Sequence, residues 1–119
     1  MFGNGKRRAI KKLKKELRAG TYSFIILSLL KDKPMHGYGI RKAFSELSEG
    51  RIVPSEGTLY DLLKSLEKYK LVESFWAEVG GRARKYYKIT SLGEEVLSEL
   101  KEEVSFIGEI LERLGEGYE

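Results

Sequence analysis

The sequence has 119 residues, 41% of them hydrophobic, so it has the size of one domain with a single modest core. It contains no cysteine, which excludes a disulfide framework and a thiolate zinc site and favours a reducing compartment. The net charge is +4, but the segment from Leu92 onward carries −7, which leaves +11 on residues 1–91. This excess favours a polyanionic partner, although a thermophile-type charged surface would also produce it.

Nothing in the sequence predicts a membrane protein. The longest apolar run, Phe24 to Leu30, is far shorter than the roughly 20 residues that span a bilayer. The N-terminus also lacks the apolar stretch of a signal peptide. We therefore expect a cytoplasmic protein without membrane association.

The first predicted element is a basic amphipathic helix over residues 1–19. Its basic residues are interrupted by Ile10, Leu13 and Leu17, which recur at helical spacing. Gly20 predicts a break, after which Thr21 is expected to cap a second, largely apolar helix. The basic helix could contact phosphates, brace a dimer or face solvent, and the sequence leaves all three open.

Two amphipathic helices are predicted after Pro34. The first has an apolar stripe at spacing i, i+3, i+4, i+7, formed by Ile40, Ala43, Phe44 and Leu47. The second is capped by Ser55 and buries a leucine stripe, formed by Leu59, Leu62, Leu63 and Leu66. Its opposite face carries Glu56, Tyr60 and Lys64. His36, the only histidine, is expected to cap or pack, because no cysteine or second histidine could join it in a metal or catalytic cluster.

A β-hairpin is predicted from Val72 to Val79 and from Arg84 to Thr90, with a turn at Gly80-Gly81. Its tip and return strand carry four basic residues and no acid: Arg82, Arg84, Lys85 and Lys88. These residues could merely protect an edge strand from aggregation. The charge bias favours contact with a DNA backbone instead. We expect Trp76 in the core, the alternative being a ligand pocket lined with Phe106.

The last predicted helix begins at a capping box of Ser91 and Glu94, or at Thr90 as an alternative cap. Its apolar residues alternate in steps of three and four, which gives a heptad seam: Leu97, Leu100, Val104, Ile107, Leu111 and Leu114. The seam could pack on its own domain. Since the preceding helices already have stripes to close a core, we predict that it forms a homodimer.

Three helices followed by a basic hairpin is the element order of a winged helix, and the motifs resemble those of one family. They are Gly20-Thr21, Pro34 with His36-Gly37-Tyr38-Gly39-Ile40, Gly57-Thr58-Leu59-Tyr60 with Leu63 and Leu66-Glu67, and Gly81-Arg82 with Arg84-Lys85-Tyr86-Tyr87 and Ile89-Thr90. From Arg18 to Leu97 the chain resembles the PadR family of transcriptional regulators. It departs from that pattern at Gly39, Asp61, Lys70 and Ala83.

The resemblance implies a homodimeric, usually repressing DNA-binding protein of the compact subgroup with a single C-terminal dimerisation helix. Its recognition helix would include Leu59-Tyr60. The fold class expected is mainly α with a small β-hairpin, a winged helix-turn-helix domain plus an N-terminal basic helix and a C-terminal dimerisation helix. We expect one domain over 1–119, with the winged helix at 20–90 and the dimerisation helix at 91–119.

The expected function is sequence-specific binding of double-stranded DNA by a homodimeric repressor at a partly palindromic operator. The predicted DNA contacts are Tyr38, Ser55, Glu56, Thr58, Tyr60, Lys64, Arg82, Arg84 and Lys85. A non-specific architectural DNA-binding protein and a winged helix used only for protein contacts remain alternatives. No enzyme activity, catalytic residue, metal or cofactor is expected, because the chain has no P-loop, dinucleotide fingerprint or metal cluster. A small-molecule effector is left open.

Overall fold

The computed structural model describes residues 2–117 and divides them into four helices and three strands. In chain order the elements are α1 (Phe2–Asp32), β1 (Met35–His36), α2 (Gly37–Ser48), α3 (Glu56–Lys68), β2 (Val72–Val79), β3 (Arg82–Ile89) and α4 (Ser91–Gly115). The predicted class, mainly helical with a small hairpin, is confirmed. None of the helices within this range is long and apolar enough to cross a membrane.

Helix α1 is continuous, so the predicted break at Gly20 is wrong. The Thr21 hydroxyl caps no helix and instead donates a hydrogen bond to the Leu17 carbonyl oxygen, 2.8 Å away. A glycine inside a helix costs about 1 kcal/mol relative to alanine. The C-terminal half of the same helix buries Ile26, Leu27 and Leu30, each worth about 2 kcal/mol, so burial outweighs that cost. The predicted boundary between residues 19 and 20 therefore coincides with no helix end.

The sheet contains one strand that the sequence did not predict. Strands β2 and β3 form the expected antiparallel hairpin, and both turn glycines have positive φ, +62° at Gly80 and +77° at Gly81. That pair of conformations suits a tight turn between twisted strands. Strand β1 pairs with the other edge of β3, with His36 opposite Tyr86, which gives the order β1-β3-β2. A strand of two residues has no periodicity to detect.

The core is formed by α1, α2, α3, the sheet and the beginning of α4. Its most buried side chains are Ile26, Leu27, Leu30, Ile40, Phe44, Leu59, Leu63, Leu66, Val72, Tyr87 and Leu97. Two predictions fail here. Leu47 lies in the last turn of α2 and is 72% exposed, and Trp76, expected in the core, is 71% exposed.

Helix α4 is held to the core only over its N-terminal turns, as far as Leu100. Thr90 is its N-cap: the hydroxyl accepts from the Gly93 N–H at 3.0 Å and donates to the Lys70 carbonyl oxygen at 2.7 Å. The capping box on Ser91 is therefore wrong, and the alternative cap is confirmed. A Cβ on Gly93 would collide with the Leu71 carbonyl oxygen, so glycine permits this close packing.

The predicted dimer seam also needs one correction. Leu97 is only 1% exposed, so its side chain belongs to the core of its own chain and not to the exposed part of the seam. Leu100 is partly buried against the same core. Beyond it α4 leaves the domain, and its large apolar side chains are exposed: Val104, Phe106, Ile107, Ile110, Leu111 and Leu114.

Candidate nucleic-acid interface

Helix α3 presents a polar surface because most of its apolar stripe is buried in the core. Leu59 and Leu63 are both completely buried, whereas Glu56, Tyr60 and Lys64 are exposed. The N-terminus of α3 is fixed by Ser55, whose hydroxyl oxygen accepts from the Thr58 N–H at 3.2 Å. The exposed end therefore carries the positive pole of a rigidly capped helix, which suits an anionic partner.

Side-chain hydrogen bonds fix the angle between α2 and α3. The Ser48 hydroxyl accepts from the Ile52 N–H at 2.9 Å and donates to the Phe44 carbonyl oxygen at 2.8 Å. The Arg41 Nε donates to the Pro54 carbonyl oxygen at 2.9 Å, just before α3 begins. The connection between the helices is thus braced along its length. Sequence reasoning missed this bracing, since only the tertiary structure brings these groups together.

His36 occupies the junction of β1, α2 and β3. Its Nδ1 accepts from the Gly39 N–H at 3.0 Å and caps α2, which confirms the predicted structural role. The Arg84 Nη1 lies 3.0 Å from Nε2 of the same ring. Burial, and then the positive charge of Arg84, lower the pKa of His36 below its usual 6.5, so the ring is held neutral.

Arg84 is held in place by aromatic rings. Because His36 Nδ1 accepts a hydrogen bond, the neutral ring carries its hydrogen on Nε2, so the only atom of the ring to which Arg84 Nη1 can donate is Nδ1, 3.5 Å away. The guanidinium carbon lies 5.9 Å from the centre of the Tyr38 ring, which is itself stacked on His36. The other N–H donors of Arg84 therefore stay available for another acceptor.

The wing, defined as β2, β3 and their turn, brings further cations beside α3. Arg82 and Lys85 are exposed on β3, and Lys85 lies in register with Trp76 on β2. The Lys85 Nζ is 5.7 Å from the centre of the Tyr87 ring. Burial, and then the charge of Glu67, raise the pKa of Tyr87 above its usual 10.0, so that phenol stays neutral. Aromatic rings thus lie against two of the wing's cations, Arg84 and Lys85.

These side chains surround one cleft between α3, the N-terminus of α2 and the wing. Its volume is about 680 Å³, and the sequence-predicted contacts among its lining residues are Tyr38, Tyr60, Arg82, Arg84 and Lys85. Among residues 2–117, no acidic side chain lines it. Tyr60 is 50% exposed, and a Cβ on Gly37 would come within 2.8 Å of its hydroxyl oxygen, so the glycine makes room for the ring. The cleft can accept an anion beside stacked aromatic groups.

The structure separates the remaining predicted residues from this cleft and adds others to it. Ser55, Glu56, Thr58 and Lys64 are exposed on or next to α3 but do not line the cleft. His36 and Trp76 line it and were not predicted to do so. The alternation of side chains along β2 could have identified Trp76, because it puts this side chain on the same face of the sheet as Ser74. The register of the hairpin then pairs Trp76 with Lys85 on β3.

Comparisons with known proteins agree on one family. A family model described as the transcriptional regulator PadR-like family matches residues 26–99. An uncharacterized protein of Lysinibacillus sphaericus is 36% identical over 90% of this chain and 99% of its own length. The transcriptional regulator YqjI of Escherichia coli is 33% identical over 76% of this chain, which spans 42% of that longer protein. In the crystal structure of a PadR family transcriptional regulator from Eggerthella lenta, the matching chain is 30% identical with a TM-score of 0.81, over 96% of this chain and 98% of that one.

Proposed function

The chain belongs to the PadR-like family of DNA-binding transcriptional regulators, which are not enzymes, and on that premise we propose that it is a homodimeric, sequence-specific repressor. In this proposal α3 enters the major groove and the wing lies against the phosphate backbone. Two copies related by a two-fold axis occupy a partly palindromic operator and block transcription by their presence there.

The observation that carries the proposal is the position of the cationic, acid-free cleft beside the exposed face of α3. A duplex presents phosphates on both sides of each groove, so a helix in the groove needs basic groups on its flank. Arg82, Arg84 and Lys85 supply them on the wing side. Tyr60 lies between these cations and the front of α3, where its hydroxyl could reach a base edge.

The homodimer is supported by the part of α4 that leaves the core. Val104, Ile107, Leu111 and Leu114 lie at heptad spacing on this segment, and each is about half exposed or more. Apolar side chains repeated over this length would form a large patch in water, which is unusual for a monomer. We therefore assign the seam between copies to the part of α4 beyond Leu100 and leave Leu97 to the core.

The test compares wing and helix variants on two DNAs, a duplex selected from a random library and an unrelated duplex. Arg82→Ala removes a phosphate contact, so it should weaken both DNAs and lower the slope of log affinity against log salt by about 0.9. Tyr60→Phe should cost about 1 kcal/mol on the selected duplex and much less on the unrelated one. Tyr69→Phe, at the other end of α3, is the matched control and should bind as the parent does.

Several results would contradict the proposal. A selection that enriches no sequence would indicate non-specific architectural binding. An unchanged salt slope for Arg82→Ala would mean that Arg82 contacts no phosphate, which contradicts the proposed position of the wing on the DNA backbone. Equal weakening of both DNAs by Tyr60→Phe would mean that this side chain positions the protein without reading sequence.

A further inference from the structure

The N-terminal half of α1 carries two chemically different faces. Residues 6–18 include eight basic residues and one acid, Glu16. An α-helix turns by about 100° per residue, so residues two apart lie about 200° from each other. Lys11 and Lys15 therefore point away from Leu13 and Leu17, which belong to the exposed apolar stripe. The basic face and the apolar face are free to serve different partners.

The basic face borders a groove that ends on the proposed recognition helix. The groove has a volume of about 440 Å³ and is lined on the α1 side by four cations, Lys11, Lys14, Lys15 and Arg18. Its floor includes Tyr22 and Leu62, and its far wall includes Thr58, in the first turn of α3. Basic charge is thus brought directly beside the N-terminus of α3.

None of the four cations forms an ion pair with another side chain among residues 2–117. The ion pairs in that part of the chain are Lys42–Glu46 and Lys88–Glu73, and neither involves the groove. The cations recur at i, i+3, i+4 and i+7, so they follow one line about 10 Å long. One DNA strand carries about three phosphates over that axial length, since each strand has a charge about every 3.4 Å. The line matches a short run of backbone.

This groove and the wing lie on opposite flanks of α3. Tyr60 borders the cleft on the wing side, whereas Thr58 and Leu62 border the groove on the α1 side. We propose that the basic face of α1 is a second phosphate-binding surface, which holds the DNA backbone across the groove from the wing. This inference rests on the proposed function and extends it, because it makes the N-terminal helix part of the DNA interface.

A different partner for the same cations is the acidic α4 of a second copy. The position of the cations favours DNA, because all four border the groove beside α3, and Lys11 and Lys15 do not line the neighbouring pocket that contains Leu17. A contact between copies through α1 would bury Ile10, Leu13 and Leu17, which are all exposed, and Lys11 and Lys15 point away from Leu13 and Leu17. The two interactions can therefore be separated by substituting the cations alone.

The experiment measures salt-dependent binding to the selected duplex and self-association in the same variants. Lys11→Ala/Lys15→Ala should lower the slope of log affinity against log salt by about 1.8, at about 0.9 per phosphate contact. The sedimentation coefficient at micromolar concentration should be unchanged. The control Lys31→Ala/Lys101→Ala also removes two exposed cations, at the far end of α1 and on α4, and should leave the slope as it is.

The outcomes distinguish this inference from the function on which it rests. If the groove variant keeps the parent slope while Arg82→Ala lowers it, α1 is not in the interface and the proposed function stands. If the groove variant changes sedimentation but not the slope, the cations belong to the contact between copies and the inference fails. A parent protein that binds no duplex would overturn both proposals.

Discussion

His36 caps helix α2 and also lies beside Arg84, one of the positive charges of the cleft. The lone pair on Nδ1 satisfies the Gly39 N–H, and a proton added there would remove this hydrogen bond. The same proton would place a positive ring beside the Arg84 guanidinium, and the aromatic neighbours of that ring are Tyr38 and Tyr86. Both effects act in the direction of the lowered pKa of His36.

The lowered pKa of His36 predicts a loss of stability in mild acid. As pH falls through 6.5 the unfolded chain binds the proton first, so the free energy of unfolding decreases from there. The decrease from this residue ends once pH lies below the lowered pKa of the folded state. His36→Asn keeps an acceptor at the N-cap and removes the titration, so this part of the pH dependence should disappear. Urea unfolding of both proteins between pH 8 and pH 5 measures it, and identical curves would contradict the account.

Residues in the cleft show which features a sequence can and cannot predict. The cations of β3 and the tyrosine of α3 were predicted, because charge bias and helical spacing are local signals. Trp76 was misplaced in the core because composition says only that tryptophan is usually buried. Its exposure depends on which elements pack against β2 in the folded chain, which is a tertiary property.

Among the elements, α2, α3 and the hairpin were predicted well because each has a strong period and a turn or cap at its ends. Helix α1 was wrongly divided at Gly20, because a glycine ends a helix only where packing of the following residues does not stabilise its continuation. Strand β1 was missed because its two residues form a strand only when β3 lies beside them. Local patterns thus predict the elements, and packing decides the exceptions.

The exposed end of α4 gives a prediction for this element. Ile107→Glu/Leu111→Glu puts charges into the proposed seam, so the variant should sediment as a monomer at micromolar concentration while keeping its helical circular dichroism. Leu47→Glu is the control, since Leu47 is also exposed, on α2 and outside the seam, and it should leave the dimer intact. If the Ile107→Glu/Leu111→Glu variant still sediments as a dimer, α4 does not form the contact between copies.

At the scale of the whole molecule, charge is sorted along the chain and in space. The basic excess lies on residues 1–91, which contain α1, α3 and the wing, whereas the acidic excess begins at Leu92 and follows α4. A molecule charged in this way is attracted to DNA through one part and repelled through the other. The proposed dimer would therefore approach a duplex with its winged helices foremost and its acidic helices directed away.

The central claim is that two copies read one duplex through paired recognition helices, and hydroxyl-radical footprinting on the selected duplex tests it most directly. A two-fold dimer should protect two half-sites whose centres lie about 10 base pairs apart, or a multiple of that spacing, on the same face of the DNA. Protection of a single isolated half-site by one monomer would contradict the account.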